Sequence, residues 1–136
     1  MASPASTPFL ALGTSRFVAL TTFRKTGAGV TTTVWIARDG DDLLVTTPAG
    51  AGKVKRLRND PRVELQPSGR MGAVADDAVK FAGVSRIVDD PAESARLTQI
   101  FRAKYGLEYR IFLFMERRFS KGENTERVLV RISPAS

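Results

Sequence analysis

Four of the six residues from Lys53 to Arg58 are cations, and two glycines precede them closely. Val54 and Leu57 lie three positions apart, which predicts a short amphipathic helix over Lys53–Asn59. Three of the cations would fall in its first turn, where positive charge opposes the helix dipole and costs up to about 1 kcal/mol. Glycines let the backbone approach a ligand, and first-turn N–H groups with Lys and Arg bind phosphate or carboxylate. The pattern predicts an anion site, with a solvated basic helix face as the alternative.

The chain contains no histidine and no cysteine. This inventory excludes Ser-His-Asp catalysis, thiolate nucleophiles and metal sites built on either side chain, so we expect no metal. Chemistry at such a site must come largely from a bound cofactor.

The net charge of +7, from 21 Lys and Arg against 14 Asp and Glu, points to an anionic partner. An aromatic content of 8%, without a glycine-flanked stacking motif, argues against a nucleic-acid-binding barrel. No apolar run reaches the length of a membrane span, and the first eight residues lack the regions of a signal peptide. We therefore expect a cytoplasmic protein whose anionic partner is a small molecule, with no role for nucleic acid or membrane.

Runs of β-branched and aromatic residues between turn signals predict the strands. They are expected at Phe17–Phe23, Val30–Arg38, Leu43–Thr47, Arg62–Pro67, Ala78–Val88 and Arg127–Ile132. Asp90 and Pro91 supply an N-cap and a first-turn proline for a helix to about Lys104, and a further helix is expected after Gly106.

A chain of 136 residues is the length of one domain. We expect a flexible leader at 1–8 and a single domain at 9–136. About six strands with the helices gathered late do not form a βαβ series, and a barrel best removes exposed sheet edges. The sequence predicts a mainly β, α+β fold: a six-stranded antiparallel β-barrel with peripheral helices.

Three blocks carry a resemblance to a known family: Phe17–Gly27, Thr31–Ile36 and Gly52–Val63. The third is the most specific, because Asn59-Asp60-Pro61-Arg62-Val63 follows the basic residues and enters the next strand. Together the blocks resemble the flavin/deazaflavin oxidoreductases of the split β-barrel superfamily, which includes pyridoxamine 5'-phosphate oxidase. The resemblance implies an FMN-binding type of split barrel and a homodimer with the cofactor at the subunit interface.

The resemblance also implies where the cofactor binds. Lys53, Lys55 and Arg56 match the phosphate-binding positions, and Thr46 and Thr47 are expected to reach the phosphate or its linker. The strand beside the ring matches Thr32, Thr33, Val34 and Trp35. Trp35 could instead be an ordinary barrel or interface aromatic, and the threonines could express strand propensity alone.

Coenzyme F-420 is the leading cofactor and FMN the alternative, because the Val34-Trp35 pair resembles deazaflavin-dependent members and the extra cations suit a carboxylated tail. The absence of histidine and the short C-terminal part depart from the true oxidases. The expected activity is hydride transfer between reduced F-420 and an unsaturated small molecule such as a quinone, an enone or a biliverdin-like tetrapyrrole. A cofactor-binding protein without catalysis is the other alternative. No catalytic residue can be named, since solvent, Tyr105, Tyr109 and Arg110 are equal candidates for the proton donor.

Overall fold

The computed structural model describes residues 6–68, 79–108, 110–111, 114–115 and 127–135. Six strands run along the chain: β1 Phe17–Phe23, β2 Gly29–Asp39, β3 Asp42–Pro48, β4 Arg62–Pro67, β5 Phe81–Val88 and β6 Arg127–Pro134. Within the described residues, three helices have both ends defined: α1 Ser6–Ala11, α2 Gly52–Asn59 and α3 Pro91–Tyr105, with a 3₁₀ turn at Leu12–Thr14 after α1.

The six strands close into one antiparallel barrel in the order β1-β2-β3-β6-β5-β4. The predicted six-stranded antiparallel barrel of the α+β class is confirmed. Alternate strand residues point inward, so Leu20, Ile36 and Val130 meet in the barrel core. Phe9 of α1 and Leu57 of α2 join the same core and are almost fully buried. The barrel interior is therefore filled by side chains, with both short helices contributing to it.

The pairing between β2 and β3 covers only part of each strand. It runs from Asp39 opposite Asp42 to Ile36 opposite Val45 and goes no further. Beyond that point, β2 pairs with β1 as far as Gly29, and the end of β3 pairs with β6. We call the unpaired interval between Gly29–Trp35 and Thr46–Pro48 the split. Helix α2 follows directly after β3 at the open end of this split.

Helix α3 packs on the outside of the barrel. The Asp90 side chain caps it by accepting a hydrogen bond from the Glu93 N–H at 2.9 Å, as the sequence predicted. Its buried face carries Leu97, Phe101 and Tyr105, which form a second hydrophobic cluster with Ala37, Leu44, Val88 and Leu129. Trp35 packs against this outer cluster.

Most predicted boundaries agree with the structure to within two residues, with two larger differences. Helix α1 begins at Ser6, inside the expected leader, because Pro8 falls in the first helical turn, where a missing N–H is tolerated; residues 1–5 lie outside the described part. Strand β5 begins at Phe81 rather than Ala78. Its pairing with β4 ends at Leu65, and continued pairing would reach Pro67, which has no N–H to donate. Ala78 itself lies outside the described residues.

Of the helix predicted after Gly106, the described residues 107–108, 110–111 and 114–115 are helical, and the others lie outside the described part. In the described part of the chain, no helix is long and apolar enough to cross a membrane.

Candidate functional site

Helix α2 presents cations at the open end of the split. Val54 and Leu57 are its buried residues and anchor it to the barrel. Its N-cap is Ala51, which offers no side-chain acceptor, and its first turn carries no acidic residue. The first-turn N–H groups are therefore not satisfied by a capping side chain, and positive side chains surround them.

Two residues of α2 reach threonine hydroxyls on different strands. The Lys53 Nζ donates to Thr47 Oγ1 on β3 at 3.2 Å, and the Arg56 Nε donates to Thr22 Oγ1 on β1 at 2.7 Å. Both threonines are almost fully buried. One helix thus bridges β1 and β3, the two strands that flank β2 in the barrel.

A third cation comes from the last strand. Arg127 lies at the start of β6, and its Nε donates to Thr46 Oγ1 at 3.1 Å while its Nη2 donates to the Thr46 carbonyl at 3.2 Å. Burial lowers the pKa of Lys53, and the charges of Arg127 and Arg56 lower that pKa further. We call Lys53, Arg56 and Arg127 the cationic cluster.

The cationic cluster is suited to an anionic group. Within the described residues, neither Lys53 nor Arg56 forms an ion pair, and each has a neutral hydroxyl as its hydrogen-bond partner. Like charges brought together in a partly buried place repel each other, and an added anionic group offsets that repulsion. A phosphate would supply that charge, so these residues fit the phosphate of a flavin-type cofactor.

The other two cations of α2 point to solvent and lie outside the cationic cluster. Lys55 and Arg58 are both exposed, and neither side chain has a hydrogen-bond partner among the described residues. Lys55, which the sequence placed with the phosphate-binding residues, is therefore not brought into the cationic cluster.

The four predicted positions on β2 lie along the split but face different ways. Continuing the register of the β2–β3 ladder sets Trp35 opposite Thr46 and Val34 opposite Thr47. Val34 is buried in the barrel core, whereas Thr33 is exposed and Thr32 is half-buried.

Trp35 faces the outer side of the barrel. Its ring stacks on Tyr105 with centroids 4.7 Å apart and meets Phe17 edge-on at 6.3 Å. Trp35 therefore has a packing role in the outer cluster.

Arg127 and Thr22 belong to the site geometry but were missed by the sequence analysis. Arg127 meets Thr46 across 81 positions and Arg56 meets Thr22 across 34 positions of the chain. The only signal available was that each lies at the end of a predicted strand, which is where strands of a barrel bring side chains to the rim.

A closed six-stranded antiparallel barrel with a split between two strands and a cationic helix at its open end is the architecture of the flavin-binding split barrels. The chain belongs to the pyridoxamine 5'-phosphate oxidase family, whose sequence profile matches residues 7–136. This is an oxidoreductase-like family, in agreement with the resemblance found in the sequence. No curated protein matches the chain.

Solved structures share the fold over nearly the whole chain. A conserved hypothetical protein of Mycobacterium tuberculosis is 26% identical, with a TM-score of 0.67, covering 100% of this chain and 82% of that one. An F-420 reductase is 18% identical, with a TM-score of 0.58, covering 93% of this chain and 92% of that one. An FAD-binding protein of Mesorhizobium loti is 14% identical, with a TM-score of 0.60, covering 99% and 90%. The last two show a common fold alone.

Proposed function

We propose that this protein is a coenzyme F-420-dependent reductase that binds the cofactor phosphate with its cationic cluster. The observation that carries the proposal is the meeting of Lys53, Arg56 and Arg127 at the open end of the split, with Lys53 and Arg56 bonded to neutral hydroxyls. Reduced F-420, when bound, supplies a hydride to an unsaturated substrate. The substrate, such as a quinone, an enone or a biliverdin-like tetrapyrrole, gains that hydride and a proton from solvent or a nearby side chain.

The charge distribution favours F-420 over FMN. F-420 carries carboxylates beyond its phosphate, and each added anionic group gains from nearby cations. Three cations, Lys53, Arg56 and Arg127, converge here, and the net charge of the chain is +7. The known F-420 reductase with the same fold is in keeping with this choice.

The chain's own residues would bind and orient the cofactor rather than react. Thr46 and Thr47 lie beside the cationic cluster and can bond the phosphate or its linker. The β2 segment from Thr32 to Trp35 borders the split, where a flat ring system would lie against the strand. Holding the ring in one place relative to a bound substrate provides much of the rate acceleration in such a reaction.

The decisive experiment is a parallel titration of the purified protein with F-420 and with FMN. We expect F-420 to bind with the lower dissociation constant and to displace FMN in competition. Raising the ionic strength should weaken F-420 binding more than FMN binding, because more charges are screened.

Tight FMN binding that F-420 does not compete with would replace the deazaflavin by FMN and leave the flavin site in place. Binding of F-420 without turnover of any quinone, enone or tetrapyrrole would favour a cofactor-binding protein without catalysis. Failure of both cofactors to bind would remove the proposed function altogether.

A further inference from the structure

Helix α3, on the outside of the barrel, forms hydrogen bonds with β2 at the point where the split begins. Ile36 is the β2 residue at the split end of the β2–β3 ladder. Residues at the end of α3 form hydrogen bonds with both its main-chain N–H and its carbonyl oxygen. The Ile36 N–H donates to the Tyr105 hydroxyl at 3.1 Å. The Ile36 carbonyl oxygen lies 2.5 Å from that hydroxyl and accepts a hydrogen bond from Lys104 Nζ at 2.6 Å.

Both side chains also bind the segment before β1. Lys104 Nζ donates to the carbonyls of Gly13 at 2.7 Å and Ser15 at 2.5 Å, so its three N–H groups have three acceptors. The Tyr105 hydroxyl lies 2.7 Å from the Arg16 carbonyl, its other available acceptor. Burial, with the nearby charge of Arg16, lowers the pKa of Lys104 to about 8, so the three-donor ammonium form predominates at neutral pH.

The same tyrosine fixes the ring of Trp35, the residue next to Ile36. The two rings are stacked at 4.7 Å with 27° between their planes. Phe101, one turn earlier on α3, stacks on Tyr105 with ring centroids 6.1 Å apart. Packing in the outer cluster needs only an aromatic ring such as that of Phe101. The hydroxyl of Tyr105 adds a connection to the β2 backbone.

We propose that Tyr105 and Lys104 are positioning residues that fix Ile36 and Trp35 and thereby set where the β2 edge of the split lies. They act on the cofactor through β2 and do not touch it. This inference rests on the proposed function, because it assigns the split to the cofactor ring.

The test compares Tyr105→Phe with Phe101→Leu. The first variant keeps the ring against Trp35 and removes only the hydroxyl, whereas the second weakens packing in the same cluster and leaves the bonds to Ile36 intact. Both should lower the melting temperature of the cofactor-free protein. Only Tyr105→Phe should accelerate amide hydrogen exchange at Ile36 and increase acrylamide quenching of Trp35, the single tryptophan of the chain.

For F-420 and FMN titrations, we expect Tyr105→Phe to raise the dissociation constant about fivefold to tenfold, the effect of one lost hydrogen bond, and Phe101→Leu to raise it less than about twofold. Lys104→Arg, which keeps a charged donor, should retain more affinity than Lys104→Met.

Equal effects of Tyr105→Phe and Phe101→Leu on cofactor affinity would mean that the cluster provides stability alone, and the inference would be wrong. Faster exchange at Ile36 with unchanged affinity would also overturn it. If the wild type binds neither cofactor, the proposed function fails by itself, and the positioning of β2 is then decided by the Ile36 exchange and the Trp35 quenching in the cofactor-free protein.

Discussion

Lys53 and Arg56 occupy neighbouring positions on one face of α2, yet their surroundings differ. Arg56 donates to Thr22, a hydroxyl that is almost fully buried, so the guanidinium also satisfies a polar atom of the barrel. Lys53 donates to Thr47 while burial and two positive neighbours lower its pKa. Lys53 is therefore placed at some cost to the empty protein, whereas Arg56 stabilises the fold as well as the site.

We expect Lys53→Ala and Arg56→Ala each to weaken cofactor binding by about 1.5 to 3 kcal/mol, the range for a lost hydrogen bond to a charged group. Lys53→Ala should leave the melting temperature of the empty protein unchanged or slightly higher. Arg56→Ala should lower stability by about 1 kcal/mol, because Thr22 loses its donor. Titration and thermal unfolding of the two variants measure both effects.

Arg58→Ala is the matched control, since Arg58 is exposed on the same helix. Its affinity should stay near that of the wild type. A loss as large as that of Lys53→Ala would show that diffuse charge, and not a specific cluster, attracts the cofactor. Lys55→Ala should resemble the control, because Lys55 is equally exposed.

The basic pattern and the family resemblance pointed to candidate residues that lie near each other in the chain. Thr47 and Lys53 are six positions apart, at a strand end and the helix that follows it, so a short-range pattern contains both. Arg127 comes from the last strand, and its place beside Thr46 depends on the pairing of β3 with β6. No local pattern encodes that pairing, which is why Arg127 was not found.

At the scale of elements, a network of ion pairs joins β2 and β3 to β6 and α3 at the end of the β2–β3 ladder opposite the split. Arg131 on β6 contacts Asp39 at 2.5 Å and Asp42 at 2.8 Å, and only 14% of its side chain is exposed. Arg96 on α3 reaches Asp39 as well, at 3.1 Å. Asp39 thus connects β2, β6 and α3 at the end of the ladder opposite the split.

The hydrogen bonds from Arg96 and Arg131 lower the pKa of Asp39 below its ordinary value of 3.8. In acid, the unfolded chain therefore takes up the proton first. The stability contributed by Asp39 is complete above pH 3.8 and is lost as the pH falls through the lowered folded-state pKa. We expect Asp39→Asn to cost about 1 kcal/mol at pH 7, with a difference from wild type that shrinks as the pH falls below 3.8. Thermal unfolding between pH 2 and pH 7 measures this.

Asp41→Asn provides the comparison, because Asp41 is exposed on the adjoining turn and forms no ion pair among the described residues. Its stability should follow the wild type across the same pH range. A pH-independent loss in Asp39→Asn would mean that the network contributes by packing rather than by charge.

Most strand positions could also be predicted, because the pattern that marks a strand is contained in a few consecutive residues. The alternation of Val63 and Leu65 with polar neighbours is visible within a few residues and follows from one face of β4 being buried. The start of β5 depended on its partner, because pairing with β4 stops at Leu65. The split arises because β2 and β3 pair along only part of their length. Neither strand contains a local sequence pattern that predicts where this pairing stops.

At the scale of the whole molecule, several large apolar side chains remain at the surface. Leu107, Ile111 and Phe114 are exposed by 53 to 69%, and they follow α3 at helical spacing. Exposed large apolar side chains that recur at helical spacing are a common feature of protein–protein interfaces. Among the described residues, nothing covers these three side chains.

We predict a homodimer in solution, with the cofactor shared between the subunits. Light scattering at micromolar concentration should give about twice the chain mass of 14.8 kDa. A stable interface of ordinary size buries about 800 Å² on each partner, enough to cover the exposed apolar side chains. Because a shared site is completed only in the dimer, dilution that separates the subunits should weaken F-420 binding in the same concentration range, whereas a site within one chain would bind independently of protein concentration. A species of 14.8 kDa that retains tightly bound cofactor would contradict the shared site and leave the cationic cluster as a binding site of the single subunit.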